Sequence, residues 1–224
     1  MLNKIFRVIK MARLTYSSKY AMKVANDYWQ NTTITHSSMN EEQFDFYYKE
    51  ILKIMKPNKQ ELILDYGGGN GEIAYRFKKD GYNIKHCDLS LKMVETAKRK
   101  YNLDSCECKK LGTEKYDKIL FNNGFFYIHP SLIKKFLKNI SNNLKVGGEL
   151  YLMDNPDFYK RDMLRQGKVY IMVTKLFPVY QIDLAGFFVK NNQLESIAKK
   201  VGFAIKKYDS WANYRSHWVL TKVK

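Results

Sequence analysis

Residues 62–74, Leu-Ile-Leu-Asp-Tyr-Gly-Gly-Gly-Asn-Gly-Glu-Ile-Ala, constrain this chain more than any other stretch. An apolar run ends in an acid, Asp65. Glycines follow at 67, 68, 69 and 71, and an amphipathic segment begins after them. That order spells strand, tight turn and helix. Glycine admits positive φ and lets a ligand lie against the main chain. The helix that follows presents free N–H groups and the positive end of its dipole. An α/β architecture with a ligand seat at the end of its first strand is the direct expectation.

The spacing is not the Gly-x-Gly-x-x-Gly of dinucleotide-binding turns. A second acid, Asp88, closes the next apolar run, 82–87, and lies 23 residues after Asp65. That is close to the roughly 20 residues expected for an acid that accepts ribose hydroxyls in a nucleotide-binding βαβ unit. Residues 116–123, Tyr-Asp-Lys-Ile-Leu-Phe-Asn-Asn, read as a further strand. A helix capped at Ser131 follows, then Gly147-Gly148 and a strand over 149–153. After a helix within 188–201, two runs, 203–208 and 217–223, close the chain as a pair of strands. Asn155-Pro156-Asp157-Phe158 reads as a turn.

The pattern Asp65-x-Gly67-x-Gly69-x-Gly71 resembles motif I of the class I S-adenosylmethionine-dependent methyltransferases. Asp88 and Asn122 fall where that family has cofactor-facing strand ends, so the resemblance runs from about Leu62 to the last residue. It implies a Rossmann-like, mostly parallel seven-stranded sheet with helices on both faces and an antiparallel last strand. It also implies an N-terminal helical lid, placed at 1–56, ahead of the catalytic domain at 57–224. The implied cofactor is S-adenosylmethionine, with S-adenosylhomocysteine as product. Asp65, Tyr66, Gly67, Gly69, Asp88, Leu89 and Asn122 are the implied cofactor residues. The family's third-strand acid, which meets the adenine, has no evident counterpart in residues 105–110. Within the class the chain resembles small bacterial enzymes that methylate sugars, surface-polysaccharide units or other small metabolites.

Methyl transfer from a sulfonium mainly requires that donor and acceptor be held in line. A base is needed only when the acceptor must lose a proton. His129, beside the fourth strand, is the first candidate, ahead of His36, His217 and Asp154; its alternative role is packing at a helix start beside Pro130. Residues 154–188 interrupt the strand–helix alternation, and a connection of that length in a compact domain tends to be a functional lid. Tyr159, Tyr170 and Tyr180 are expected to wall the acceptor there, with Lys160, Arg161 and Arg165 meeting an anionic group such as a phosphate.

Charge widens the choice of acceptor. The 224 residues carry 39 Lys+Arg against 22 Asp+Glu, a formal charge of +17. Such a field attracts polyanions, yet solvated surface lysines give the same total. RNA methylation and a non-catalytic binding role stand as rivals; no separate nucleic-acid-binding module is visible, and no specific nucleic-acid partner is expected. Residues 1–24 hold six cations and no acid, with Leu2, Ile5, Phe6, Ile9 and Ala12 at helical spacing. That stripe is expected to pack on the domain, with peripheral contact to an anionic membrane as the alternative. Three cysteines, two of them one residue apart, predict a reduced cytoplasmic protein without a metal site. The number of subunits leaves no trace in the sequence.

Overall fold

The computed structural model describes residues 2–31, 40–164 and 168–224, with side chains from 5–31, 40–164 and 172–224. His36, Ser37, Ser38, Arg165 and the side chain of Tyr170 therefore lie outside the described part.

Strands β1 (Leu62–Tyr66), β2 (Asn83–Asp88), β3 (Ser105–Glu107), β4 (Tyr116–Asn122), β5 (Leu144–Pro156), β8 (Phe203–Asp209) and β9 (Arg215–Lys222) form one sheet. Its order is β3-β2-β1-β4-β5-β9-β8. β3, β2, β1, β4 and β5 run parallel, and β9 is antiparallel to both its neighbours. The chain thus has the mostly parallel seven-stranded sheet expected for the class.

Alternation along the strands splits the core into two layers. On one face Leu64, Ile119, Leu150, Leu152, Trp218 and Leu220 pack on helices α6 (Ile133–Asn143) and α8 (Asn191–Val201). On the other, Ile63, Leu120, Tyr151, Met153 and Val219 pack on α3 (Glu41–Met55), α4 (Glu72–Lys79) and α5 (Leu91–Tyr101). Neighbouring residues of one strand therefore serve opposite layers, as a doubly covered sheet requires.

Ahead of the sheet lie α1 (Leu2–Tyr16) and α2 (Ser18–Asn31). They do not join either main layer. Met11, Leu14, Ala21 and Ala25 form a third, small core with Val179, Ile182, Ala185 and Phe187. The last four come from a hairpin, β6 (Val179–Gln181) and β7 (Gly186–Phe187), inside the 154–188 segment. α1, α2 and the hairpin of the inserted segment thus share one small core, while α3 belongs to the main sheet layer. The inserted segment also holds α7 (Lys168–Leu176), whose continuation Phe177 joins the same cluster.

Some local readings are corrected. The stripe of α1 expected to pack on the domain does not do so at its described large residues: Ile5, Phe6 and Ile9 stand open, while Met11 and Leu14 are buried. At about 100° per residue Met11 and Leu14 fall on the side of the helix opposite Ile5, Phe6 and Ile9. α3 is capped by Asn40 in a reciprocal box with Gln43. Asn155 and Pro156 form no turn. They end β5 opposite Ser216 and Arg215, where the end of a sheet strand spares Pro156 a ladder donor. The helix after β4 is opened by His129, whose side chain accepts from the Ser131 N–H, not by Ser131 itself.

Candidate active site

The carboxyl ends of β1, β2 and β4 open into a cavity of about 540 Å³. Ligands of open α/β sheets bind at such strand ends.

The glycine turn forms its floor. The N–H groups of Gly67 and Gly68 both donate to the Cys87 carbonyl, at 2.8 and 3.2 Å, which ties the turn to β2. Gly67 has φ +66°, and a Cβ there would come within 2.9 Å of the Phe121 ring. At Gly68 a Cβ would meet Asp65 Oδ2 at 2.3 Å and His86 Cδ2 at 2.7 Å. The turn therefore has room for backbone alone. Asp88 holds it from the side: Oδ2 accepts from the Gly69 N–H at 3.0 Å, and Oδ1 from the Ser90 N–H at 2.8 Å. Burial raises the Asp88 pKa, and these backbone N–H groups oppose that rise.

Two buried acceptors that line the cavity have no hydrogen-bond partner among the described residues: Asp65 Oδ2 and Asn122 Oδ1. An unpaired acceptor away from water costs free energy, so both are poised for donors that a ligand brings. Burial first, and the nearby Asp88 charge second, push the Asp65 carboxyl up to about 7; the Ala74 N–H pulls the other way. This carboxyl therefore keeps its proton to higher pH than an exposed one. A bound cation would hold it ionised.

The far side and roof come from elements distant in sequence. α2 supplies Met22, Ala25, Asn26, Trp29 and Gln30, and α3 supplies Phe44 and Tyr47. Trp29 packs edge-on against Tyr127 with ring centres 5.4 Å apart, and Gln30 Nε2 donates to the Leu89 carbonyl at 3.4 Å. Behind Tyr47 lies a polar wall. Arg215 donates to Asn123 Oδ1 at 2.7 Å, to the Asp154 carbonyl at 2.6 Å and to Asp154 Oδ2 at 3.0 Å. Tyr47 Oη donates to that same Oδ2 at 3.5 Å, and Ser210 Oγ to Asp154 Oδ1 at 2.8 Å. Asn123 and Asp154 both adopt positive φ, 52° and 54°, at the ends of the two strands the wall joins.

All seven residues expected at a cofactor, Asp65, Tyr66, Gly67, Gly69, Asp88, Leu89 and Asn122, line this cavity. His129 lines it too, but both its ring nitrogens are engaged. Nδ1 accepts from the Ser131 N–H at 3.2 Å, and Nε2 donates to the Thr15 carbonyl at 3.1 Å. Its ring lies edge-on to Phe187, 5.1 Å between centres. His129 is thus spent on joining α1 and the hairpin to the sheet, and it offers no lone pair to an acceptor's proton. His217 accepts from the Asp154 N–H at 2.7 Å, and burial holds its pKa down to about 4. His86 is likewise held at about 4 by burial.

The expected acceptor residues are placed elsewhere. No described residue of 154–188 lines the cavity. Tyr159 is exposed and packs edge-on to Phe158. Arg161 bends back over the Phe158 ring and donates to the Phe158 carbonyl at 2.5 Å. Lys160 pairs with Asp209 at 2.6 Å. Tyr180 sits one layer back, its hydroxyl accepting from Arg215 at 3.1 Å and its neighbour Gln181 accepting from Tyr127 Oη at 3.2 Å. The segment braces the roof instead of forming it. Tyr127 lies in the stretch 124–130 that the sequence marks as site lining, whereas nothing in the sequence singles out Trp29, Phe44 and Tyr47 as lining residues. The aromatic richness of 21–55 was the visible signal, without a spacing to say which rings turn inward.

Residues 63–148 match the family model described as a methyltransferase domain. A ubiquinone/menaquinone biosynthesis C-methyltransferase of Zymomonas mobilis is 29% identical over 113 residues, covering 47% of this chain and 47% of the relative. The match thus spans about half the length of that curated relative. Among solved structures, a Bacteroides fragilis S-adenosylmethionine-dependent methyltransferase in complex with S-adenosyl-L-homocysteine superposes with TM-score 0.65, at 17% identity, covering 94% of this chain and 97% of that one. A phosphoethanolamine N-methyltransferase of Haemonchus contortus gives 0.60 at 15% identity, over 96% and 60%. Magnesium protoporphyrin IX methyltransferase of Synechocystis gives 0.56 at 15%, over 95% and 100%.

Proposed function

We propose that this chain, whose residues 63–148 match a methyltransferase domain, moves a methyl group from S-adenosylmethionine to a small-molecule acceptor held under α2 and α3. One observation carries the reading. A single cavity joins the glycine turn, Asp88 and two unpaired buried acceptors to an aromatic wall of Trp29, Phe44, Tyr47 and Tyr127. The residues fit the cofactor. Asp88 stands where a carboxylate takes ribose hydroxyls. The bare turn at Gly67 and Gly68 leaves the backbone open to the amino-acid end. Asp65 Oδ2 and Asn122 Oδ1 await the N–H groups that such an end brings. The cofactor supplies a methyl already activated by a sulfonium charge; the protein aligns and shields it.

His129 is not the base in this reading, because its nitrogens hold the roof. Catalysis rests on placement, and the acceptor sits against rings. Aromatic faces suit a planar ring or the apolar face of a sugar, so carbohydrate acceptors, surface-polysaccharide units among them, stay within the proposal. Phosphate recognition through Lys160 and Arg161 does not, since both are turned to other partners. Lys135 of α6 lines the cavity and is the cation an anionic acceptor would meet. For RNA only the overall charge speaks. Subunit number and cytoplasmic location play no part in this reading.

The test is transfer of label from methyl-labelled S-adenosylmethionine to a panel of ring-bearing small molecules. Labelled product with the native protein, reduced in Trp29→Ala and Tyr127→Ala at unchanged cofactor affinity, is expected. A protein that binds no cofactor at all would overturn the reading.

A further inference from the structure

α1 is apolar on two sides. Met11 and Leu14 are buried in the small core shared with the β6–β7 hairpin. On the opposite side Ile5, Ile9 and Tyr16, at spacings of four and seven, fall in one stripe with Phe6 beside it. Ile5, Phe6 and Ile9 are 51%, 61% and 57% exposed. α7 repeats the arrangement. Val173 packs in the same small core, while Met172 and Leu176, one turn apart, are 66% and 72% exposed. The two elements meet where the Tyr16 and Phe177 rings lie edge-on with centres 6.1 Å apart. Monomeric proteins rarely leave so many large apolar side chains open on adjoining helices without a use.

The charge around this ridge has one sign. From Met1 to Asn26 the chain has Lys4, Arg7, Lys10, Arg13, Lys19 and Lys23 and no acid. Arg7, Arg13, Lys19 and Lys23 are exposed, as is Lys175 on α7. Lys10 pairs with the exposed Asp183 of the hairpin. We propose that α1 and α7 together dock the protein on an anionic bilayer surface. Ile5, Phe6, Ile9, Met172 and Leu176 enter the headgroup boundary, and the flanking cations meet lipid phosphates. An apolar ridge edged by Lys and Arg is what such a surface takes. A second copy on the same face would set cations against cations. None of the described helices is long and apolar enough to cross a membrane, so the contact lies in the interface plane. α2, which follows α1 directly, lines the cavity through Met22, Ala25 and Trp29. Docking would therefore bring the cavity roof to the lipid surface.

Co-sedimentation of the full chain with vesicles is the test. Vesicles of phosphatidylcholine with phosphatidylglycerol should pellet the protein, and pure phosphatidylcholine vesicles should not. Raising salt from about 0.1 to about 1 M should weaken pelleting as the Debye length shrinks. The triple variant Ile5→Ser, Phe6→Ser, Ile9→Ser should bind more than about tenfold weaker, since three apolar side chains leave the interface. Its circular dichroism should match the native protein, because these residues touch no core. Met172→Ser with Leu176→Ser should give a smaller loss in the same direction. Undiminished pelleting of the triple variant, or no pelleting of the native protein, overturns the proposal. A native dimer in solution that the triple variant loses would do the same, by showing that a second copy covers the face.

Discussion

The two ends of the cavity are built by different means. The glycine-turn end is made of one strand, one turn and one helix consecutive in sequence, held by backbone hydrogen bonds and by Asp88. The acceptor end is assembled from α2, α3 and Tyr127, and is braced by a hairpin more than 140 residues from α2. The first end is tied by backbone hydrogen bonds to the neighbouring strand β2. The second depends on the small core of α1, α2 and the hairpin and on single bridges such as His129 to the Thr15 carbonyl. A site built this way keeps its cofactor seat fixed and leaves its acceptor seat adjustable through loops and lids.

The largest expected effect breaks the local end. Gly68→Val would drive its side chain into Asp65 and His86, and overpacking of this kind costs about 1–3 kcal/mol. Calorimetry should find no S-adenosylhomocysteine binding, and thermal unfolding should fall; native affinity would show that the ligand does not approach the turn. Asp88→Ala comes next. It removes the acceptor for the ribose and for the Gly69 N–H, at about 1–3 kcal/mol of cofactor affinity. A titration of this variant with unchanged affinity would place the ribose elsewhere.

A smaller effect is read through pH. Asp65 is raised to about 7 by burial, above its unfolded value. The folded free protein therefore holds this proton more tightly than the unfolded chain. That contribution to stability is full below the unfolded pKa near 3.8 and is lost as pH rises through about 7. Asp65→Asn should accordingly stabilise the free protein at pH 8 more than at pH 5 in denaturant unfolding. Because a bound ammonium favours the ionised carboxylate, native cofactor affinity should rise from pH 6 to pH 8, and the Asn variant should flatten that rise. A pH-independent affinity in the native protein would remove Asp65 from the amino-acid end.

The smallest effect sharpens the other side of the comparison. A positioned general base is worth about 10²–10⁴-fold in turnover. His129→Ala should change turnover far less than that and should instead loosen α1, seen as faster proteolysis within residues 1–31. A loss of a hundredfold or more at unchanged lid protection would restore His129 as the base.

The same contrast explains what could be read from the sequence. Asp65, Gly67 and Gly69 were legible because strand–turn–helix geometry fixes them within a few residues, and Asp88 and Asn122 because each closes a later strand of the same parallel alternation. The mostly parallel seven-stranded sheet with an antiparallel last strand was legible through the family resemblance that the same motif carries. Trp29, Phe44 and Tyr47 were not, since which aromatic turns inward is decided by packing across long sequence separations. Tyr159 and Arg161 carried the right chemistry for an acceptor pocket, yet Asp157 caps their short helical turn and aims both away from the cavity. For α1, periodicity revealed an apolar stripe but not the second one at Met11 and Leu14 that the hairpin covers.

The central claim is that cofactor seat and helical roof share one cavity, and hydrogen exchange with and without S-adenosylhomocysteine tests it most directly. The account predicts slowed exchange in the turn at 65–74, in 86–94 around Asp88, and in α2 at Ser18–Asn31, all in one titration with one midpoint. Protection confined to the turn, with α2 unchanged at saturation, would show that the roof does not close over the ligand and would contradict it.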